Sequence, residues 1–153
     1  MRLLLANYMK DTEYLLHADM FNIDKFPTSA KVINVGLGES NLLNIAGGIA
    51  SENNIVYIYG VAGFIIHRLE QLKFSCRDFG ATIGKIIICN AGRIGYEKMG
   101  DGHKLEDDQA ICKMLNIDFY KPDTLKGFRS ILNEIDTYQN GIYYINLGKD
   151  FER

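Results

Sequence analysis

The chain has 153 residues, 47% hydrophobic and 24% charged, with a formal net charge of −2. That size and composition suit one soluble globular domain with a real core and exclude a disordered tract. The slight negative charge gives no electrostatic pull toward nucleic acid or an anionic bilayer. No apolar run approaches the roughly 20 residues a membrane span needs, and the apolar stretch in residues 1–6 is too short for a secretory signal.

In chain order, short β-branched runs alternate with helix-patterned segments. Strands are expected at residues 14–18, 31–35, 55–59, 85–90, 118–121 and 142–146, and helices at 40–51, 64–79, 105–115 and 124–137. Runs such as Ile86-Ile87-Ile88 are continuously apolar, which suits a parallel sheet covered on both faces. The expected architecture is therefore α/β and doubly wound, a mostly parallel sheet with helices on both faces, in a single domain over 1–153. Pro122-Asp123-Thr124 reads as a strand exit leading into a helix start. Cys76, Cys89 and Cys112 form no Cys-x-x-Cys pair; reduced, buried and structural thiols are expected, which points to the cytoplasm.

Glu39 stands between the strand pattern ending in Asn34-Val35 and the small-residue segment running from Asn41 to Ala50. A carboxylate at such a junction can cap the helix, whose first N–H groups lack partners. It can equally face a cleft or a subunit interface, where burial would raise its pKa into a range useful for proton transfer. Ligands of open α/β sheets collect at the carboxyl ends of the strands. Glu39 follows one such end, Gly60 to Phe64 another, and residues 91–103 a third, so these distant segments are expected to converge. Glu106, Asp107 and Asp108 read as first-turn acids of the next helix, and His17 as a core or edge histidine. No His/Cys cluster has zinc spacing.

Gly36-Leu37-Gly38-Glu39-Ser40-Asn41, with the Ala/Gly-rich helix behind it, resembles the Gly-Ile-Ala-Glu-Gln-Asn segment of transketolase-like thiamine-diphosphate enzymes, keeping Gly36, Glu39 and Asn41. Further segments match in order. Leu16-His17-Ala18-Asp19-Met20 is similar to the family's first strand ending in Ala-Asp-Leu. The run from Ile55 to Phe64 resembles the strand and loop that deliver an aromatic ring to the cofactor, and Arg68-Leu69-Glu70-Gln71-Leu72 the helix that follows. Gly100-Asp101-Gly102-His103-Lys104-Leu105-Glu106-Asp107 is like the family's Gly-Pro-Thr-His-His-x-Leu-Glu-Asp turn. The resemblance spans residues 14–148.

This resemblance implies the thiamine-diphosphate-binding fold and, within it, the pyrimidine-binding module. It assigns Glu39 to the carboxyl group that hydrogen-bonds the N1′ atom of the cofactor's aminopyrimidine, and Phe64 to the ring that stacks on it, with Val61 in the same loop and Asp19 near the thiazolium and substrate. It also makes His103 and His67 candidates for proton transfer or sugar-hydroxyl binding, and His67, Arg68 and Arg93 candidates for holding a substrate phosphate. Where the family has Ala-Pro-Phe, this chain has Gly63 before Phe64, a less rigid loop. Only one histidine stands in the 100–107 turn, beside Lys104, which leaves the substrate contacts there open.

The family clamps the diphosphate through a divalent cation with Gly-Asp-Gly followed some distance later by Asn, on a separate domain. Gly100-Asp101-Gly102 follows a long loop, and Asn133 falls inside an expected amphipathic helix, so no metal site is assigned to this chain. The implied protein is a small subunit of a split transketolase-like transferase, moving a two-carbon ketol unit between sugar-type substrates. A partner subunit would bring Gly-Asp-Gly…Asn with its Mg2+ or Ca2+, in an α2β2 heterotetramer. Departures around residues 93–104 suggest a specialised sugar. A subunit of a 2-oxo acid decarboxylase or dehydrogenase, and a non-catalytic scaffold subunit, remain alternatives.

Overall fold

In the computed structural model, residues 2–20, 27–91 and 107–147 are described. They form a six-stranded sheet, all of it parallel, in the order β2-β1-β3-β4-β6-β5. The strands are β1 (Tyr14–His17), β2 (Lys31–Asn34), β3 (Ile55–Val61), β4 (Lys85–Ala91), β5 (Asp118–Tyr120) and β6 (Gly141–Leu147). The helices are α1 (Arg2–Tyr8), α2 (Glu39–Ala50), α3 (Ala62–Ile66), α4 (Leu69–Gln71), α5 (Asp108–Met114) and α6 (Leu125–Thr137). Parallel neighbours need crossover connections, and helices supply them on both faces. This is the expected doubly wound α/β fold.

The pleat sends alternate residues to opposite faces. Leu16, Val56, Ile58, Ile86, Ile88 and Tyr144 pack with Leu42, Leu43, Ala46, Ile65, Leu72, Cys76 and Cys112 beneath α2, α3 and α5. Leu15, Tyr57, Tyr59, Ile87, Cys89, Tyr143 and Ile145 pack on the other face with Leu5, Met9, Phe128, Leu132 and Ile135, from α1, the residue after it and α6. All three cysteines are buried and unpaired, and burial pushes the Cys76 and Cys112 thiols up to about 12. Among the described residues no helix is long and apolar enough to cross a membrane.

Three departures from the sequence reading have physical causes. The helix α1 was not expected, because seven residues are too few to display a helical period. Within the helix expected at 64–79, Arg68 leaves helical geometry (φ −94°, ψ 56°), and a π turn over Leu72–Arg77 and a 3-10 turn over Gly80–Thr82 follow α4. The widened turn buries Leu72 and Cys76 while laying the backbone of Ser75 against α2. Finally, α2 begins at Glu39 itself, without a side-chain cap.

The contact between α2 and the π turn is made backbone to backbone. A Cβ at Gly47 would lie 2.1 Å from the Ser75 carbonyl oxygen, and one at Gly80 would lie 2.6 Å from the Gly47 carbonyl oxygen. Ser75 Oγ donates to Asn44 Oδ1 at 2.6 Å and Cys76 Sγ to the Leu43 carbonyl at 3.4 Å, so polar side chains fasten the same seam.

At the amino-terminal edge of the sheet, charges serve structure. Lys85 is buried, and its Nζ donates to the carbonyls of Ile135 (3.0 Å) and Asp136 (3.3 Å), closing the end of α6. Glu13, only 2% exposed, accepts from the Lys10 N–H at 2.8 Å. Burial raises the Glu13 carboxyl above its usual range, the Lys10 N–H and the Lys10 and Lys85 charges opposing that shift.

Gly47→Ala should destabilise the chain by about 3 kcal/mol or more, since rigid backbone must shift to admit the methyl group; urea denaturation measures it. Glu13 binds its proton more tightly folded than unfolded, so its contribution is full below the unfolded pKa of about 4.3 and is lost as pH rises through the folded value. Denaturation across a pH series should show the parent chain losing stability relative to Glu13→Gln as pH rises from about 4 toward neutrality.

Candidate functional site

From β1 the chain steps outward to its neighbour β2, then returns across β1 to β3 on the other side, from which it proceeds to β4. The carboxyl ends of β1 and β3 therefore flank the topological switch point, where open α/β sheets leave a crevice. A cavity of about 150 Å3 lies there, lined by Ala18, Asp19 and Met20 after β1, Leu37 and Glu39 at the entry to α2, and Gly60, Val61, Phe64 and Ile65 around the end of β3.

Each wall has a local cause. Asp19 adopts a left-handed backbone (φ 50°), a conformation an aspartate tolerates better than most residues. Its N–H is held by Asn34 Oδ1 at 3.0 Å, and its Oδ1 faces Asn34 Nδ2 at 3.4 Å. The following N–H, of Met20, donates to Nδ1 of the fully buried His17 at 3.2 Å, so that imidazole shapes the same turn. Gly36, also left-handed (φ 71°), donates its N–H to Asn34 Oδ1 at 3.0 Å, and Gly38 donates back to the Gly36 carbonyl at 2.9 Å. This tight loop leaves Leu37 85% exposed at the cavity and delivers half-buried Glu39 to the first turn of α2. Val61 precedes α3, and half-buried Phe64 projects from that helix into the cavity wall.

The structure thus brings together Asp19, Glu39, Val61 and Phe64. Exposed His67, at the end of α3, and Arg68, where the helix breaks, are not among the lining residues; the Arg68 Nε is buried without a hydrogen-bond partner. His103, Arg93 and the segment from Gly100 to Glu106 lie outside the described residues. Among the described residues, no group of three or more His, Cys, Asp or Glu could hold a metal ion.

Sequence reasoning missed two features of this edge. Asn34 is one; an Asn two residues before a glycine at a strand exit is an Asx-turn signal and would have flagged it. Asp108 is the other. Asp107 caps α5 as expected, accepting from the Ala110 N–H at 3.0 Å. Asp108 instead turns inward, accepts a short hydrogen bond from Asn146 Nδ2, and has its carboxyl raised by burial. Asn90 and Asp108 both lie against the buried Tyr144 hydroxyl, yet neither meets it in good hydrogen-bond geometry, and the Asn90 amide is without a partner.

No protein-family model matches the chain. It is 27% identical over 130 residues to one subunit of the apulose-4-phosphate transketolase of Actinobacillus succinogenes, an alignment covering 84% of this chain and 40% of that protein. A match of 35% identity over 69 residues, covering 43% of this chain and 22% of the relative, joins it to an uncharacterised 33.6 kDa protein of the fasciation locus of Rhodococcoides fascians. Among solved structures it superposes on a split-gene transketolase, described as an inactive beta4 tetramer, with a TM-score of 0.74 and 20% identity. That match covers 97% of this chain and 49% of the other. In sequence the chain thus resembles a transketolase subunit, and in fold a split-gene transketolase. It spans about half the length, or less, of the transketolase-like proteins it matches.

The left-handed backbone at position 19 gives a direct test of the site's construction. Asp19→Gly should leave stability to urea close to that of the parent, whereas Asp19→Val should lower it by about 1–2 kcal/mol, because a β-branched residue resists that conformation.

Proposed function

We propose that the chain is the pyrimidine-binding subunit of a split thiamine-diphosphate-dependent transketolase, a transferase that moves a two-carbon ketol unit between sugar-type substrates and works only with a partner subunit. The observation that carries this reading is the convergence of Glu39, Phe64, Asp19 and Val61, from three separate segments, on one cavity at the switch point.

The cavity suits one half of the cofactor. A space of about 150 Å3 has room for a single aromatic ring, and here apolar side chains, one phenyl ring and two carboxylates line it. Phe64 offers a flat face for stacking. Glu39 would share a proton with a ring nitrogen, a task suited to a carboxyl group shielded from water. Ala18, Val61 and Ile65 would exclude solvent from that exchange. When bound, thiamine diphosphate supplies a carbanion-stabilising electron sink.

The other half does not fit these walls. Among the described residues no cationic side chain lines the cavity; the diphosphate and its Mg2+ or Ca2+ are assigned to the partner, through a Gly-Asp-Gly…Asn motif. One sequence relative is named a subunit, and the solved structure is a split-gene product whose four-copy assembly is described as inactive. Both support a protein that needs a second polypeptide, and α2β2 is the assembly proposed. The chain is read as a single domain, with His103, His67, Arg68 and Arg93 retained as candidate substrate contacts. Three buried, unpaired thiols support a reducing, cytoplasmic setting.

In the reconstituted pair, Glu39→Gln should lower turnover by about 100-fold or more while leaving the thermal transition in place. Turnover of the variant at the parent rate would overturn the proposal.

A further inference from the structure

Asp19, in the turn after β1, and Glu39, at the start of α2, reach the cavity from different segments, and one side chain ties their supports together. The Asn34 carboxamide oxygen accepts from both the Asp19 N–H and the Gly36 N–H, each at 3.0 Å. Two N–H donors on one atom settle which end of the amide is oxygen, and Nδ2 is then turned toward Asp19 Oδ1 at 3.4 Å. Both residues whose N–H groups it receives have left-handed backbones, φ 50° at Asp19 and φ 71° at Gly36. Conformations of that kind persist where surrounding contacts hold them. In the sheet, Asn34 pairs with His17, which in turn fixes Met20, so the last register pair of β1 and β2 governs the whole turn.

Resting on the reading of the cavity as a thiamine-diphosphate site, we propose that Asn34 is a positioning residue, which sets the Asp19 carboxylate and the loop entering α2 at a fixed separation for the cofactor ring. It does not line the cavity and acts through the two backbone turns. Asparagine suits the role because a single side chain must accept from two N–H groups and donate to a carboxylate. Aspartate would keep the first function and place like charge against Asp19.

Two variants and two readouts test this. On the full chain, amide hydrogen exchange followed by NMR should show the Asp19 and Gly36 N–H groups exchanging at least about tenfold faster in Asn34→Ala, and near the parent rate in Asn34→Asp. In the pair reconstituted with its partner, titration with thiamine diphosphate and magnesium, read by near-ultraviolet circular dichroism, should show both variants binding about tenfold more weakly than the parent. Unchanged exchange in Asn34→Ala overturns the proposal, and so does faster exchange with unchanged cofactor affinity. A parent pair that binds no thiamine diphosphate overturns the functional reading and this inference together, whereas a parent that binds and an alanine variant that binds equally well overturns only the role of Asn34.

Discussion

The placement of Glu39 depends on a contact some distance from it. Because α2 meets the π turn through the bare backbone at Gly47, it sits closer to its neighbour than any helix carrying a side chain there could. Leu42, Leu43, Ala46 and Ala50 on the same helix are fully buried against the sheet. A helix pinned on two sides cannot slide along its axis without tearing both seams, since close-packed interiors transmit small displacements. Its first residue is therefore held at one height above the carboxyl edge of the sheet. The small-residue composition of α2 thus serves the site through geometry.

The two edges of the sheet use polar groups in opposite ways. At the amino-terminal edge Lys85 closes the end of α6, Glu13 accepts from a backbone N–H, and the Tyr8 hydroxyl donates to Asp136 Oδ2 at 2.9 Å. Those groups answer one another. At the carboxyl edge, by contrast, two carboxylates line an otherwise apolar cavity, and the Asn90 amide nearby, 4.0 Å from the position a Cβ at Gly60 would take, is without a partner. Parallel sheets direct all strand ends of one kind to one side, so chemistry and structural closure can be separated along a single axis.

Much of this was legible in advance because buried parallel strands are written in continuous β-branched runs; Ile86-Ile87-Ile88 and Ile142 to Asn146 stand where such runs demanded. The convergence of these segments was legible for a related reason. Alternation of strand and helix makes the sheet parallel and puts the residues just after strand ends on one edge, and there Asp19, Glu39, Val61 and Phe64 line one cavity. What escaped was geometry with no hydropathic signature. A π turn changes hydrogen-bond register without changing composition, and the inward turn of Asp108 depends on Asn146, 38 residues away. Even the Asn34 clasp, written locally as Asn-x-Gly, shows its consequence only when β1 lies beside β2.

The cavity also constrains what must come from elsewhere under the proposed function. Among the described residues its lining holds two carboxylates and no cation, so these walls alone would repel the anionic tail of a ligand. Under that function compensating charge would have to come from outside these walls. Leu37 is 85% exposed at this edge, on a loop in which the Gly36 N–H donates to Asn34 Oδ1 and the Gly38 N–H to the Gly36 carbonyl. Under the proposed function, an exposed apolar side chain beside the cavity would suit a surface that the partner subunit covers. Under this reading the separation of the protein into two chains follows the division of the ligand: the ring on one chain, the phosphates on the other.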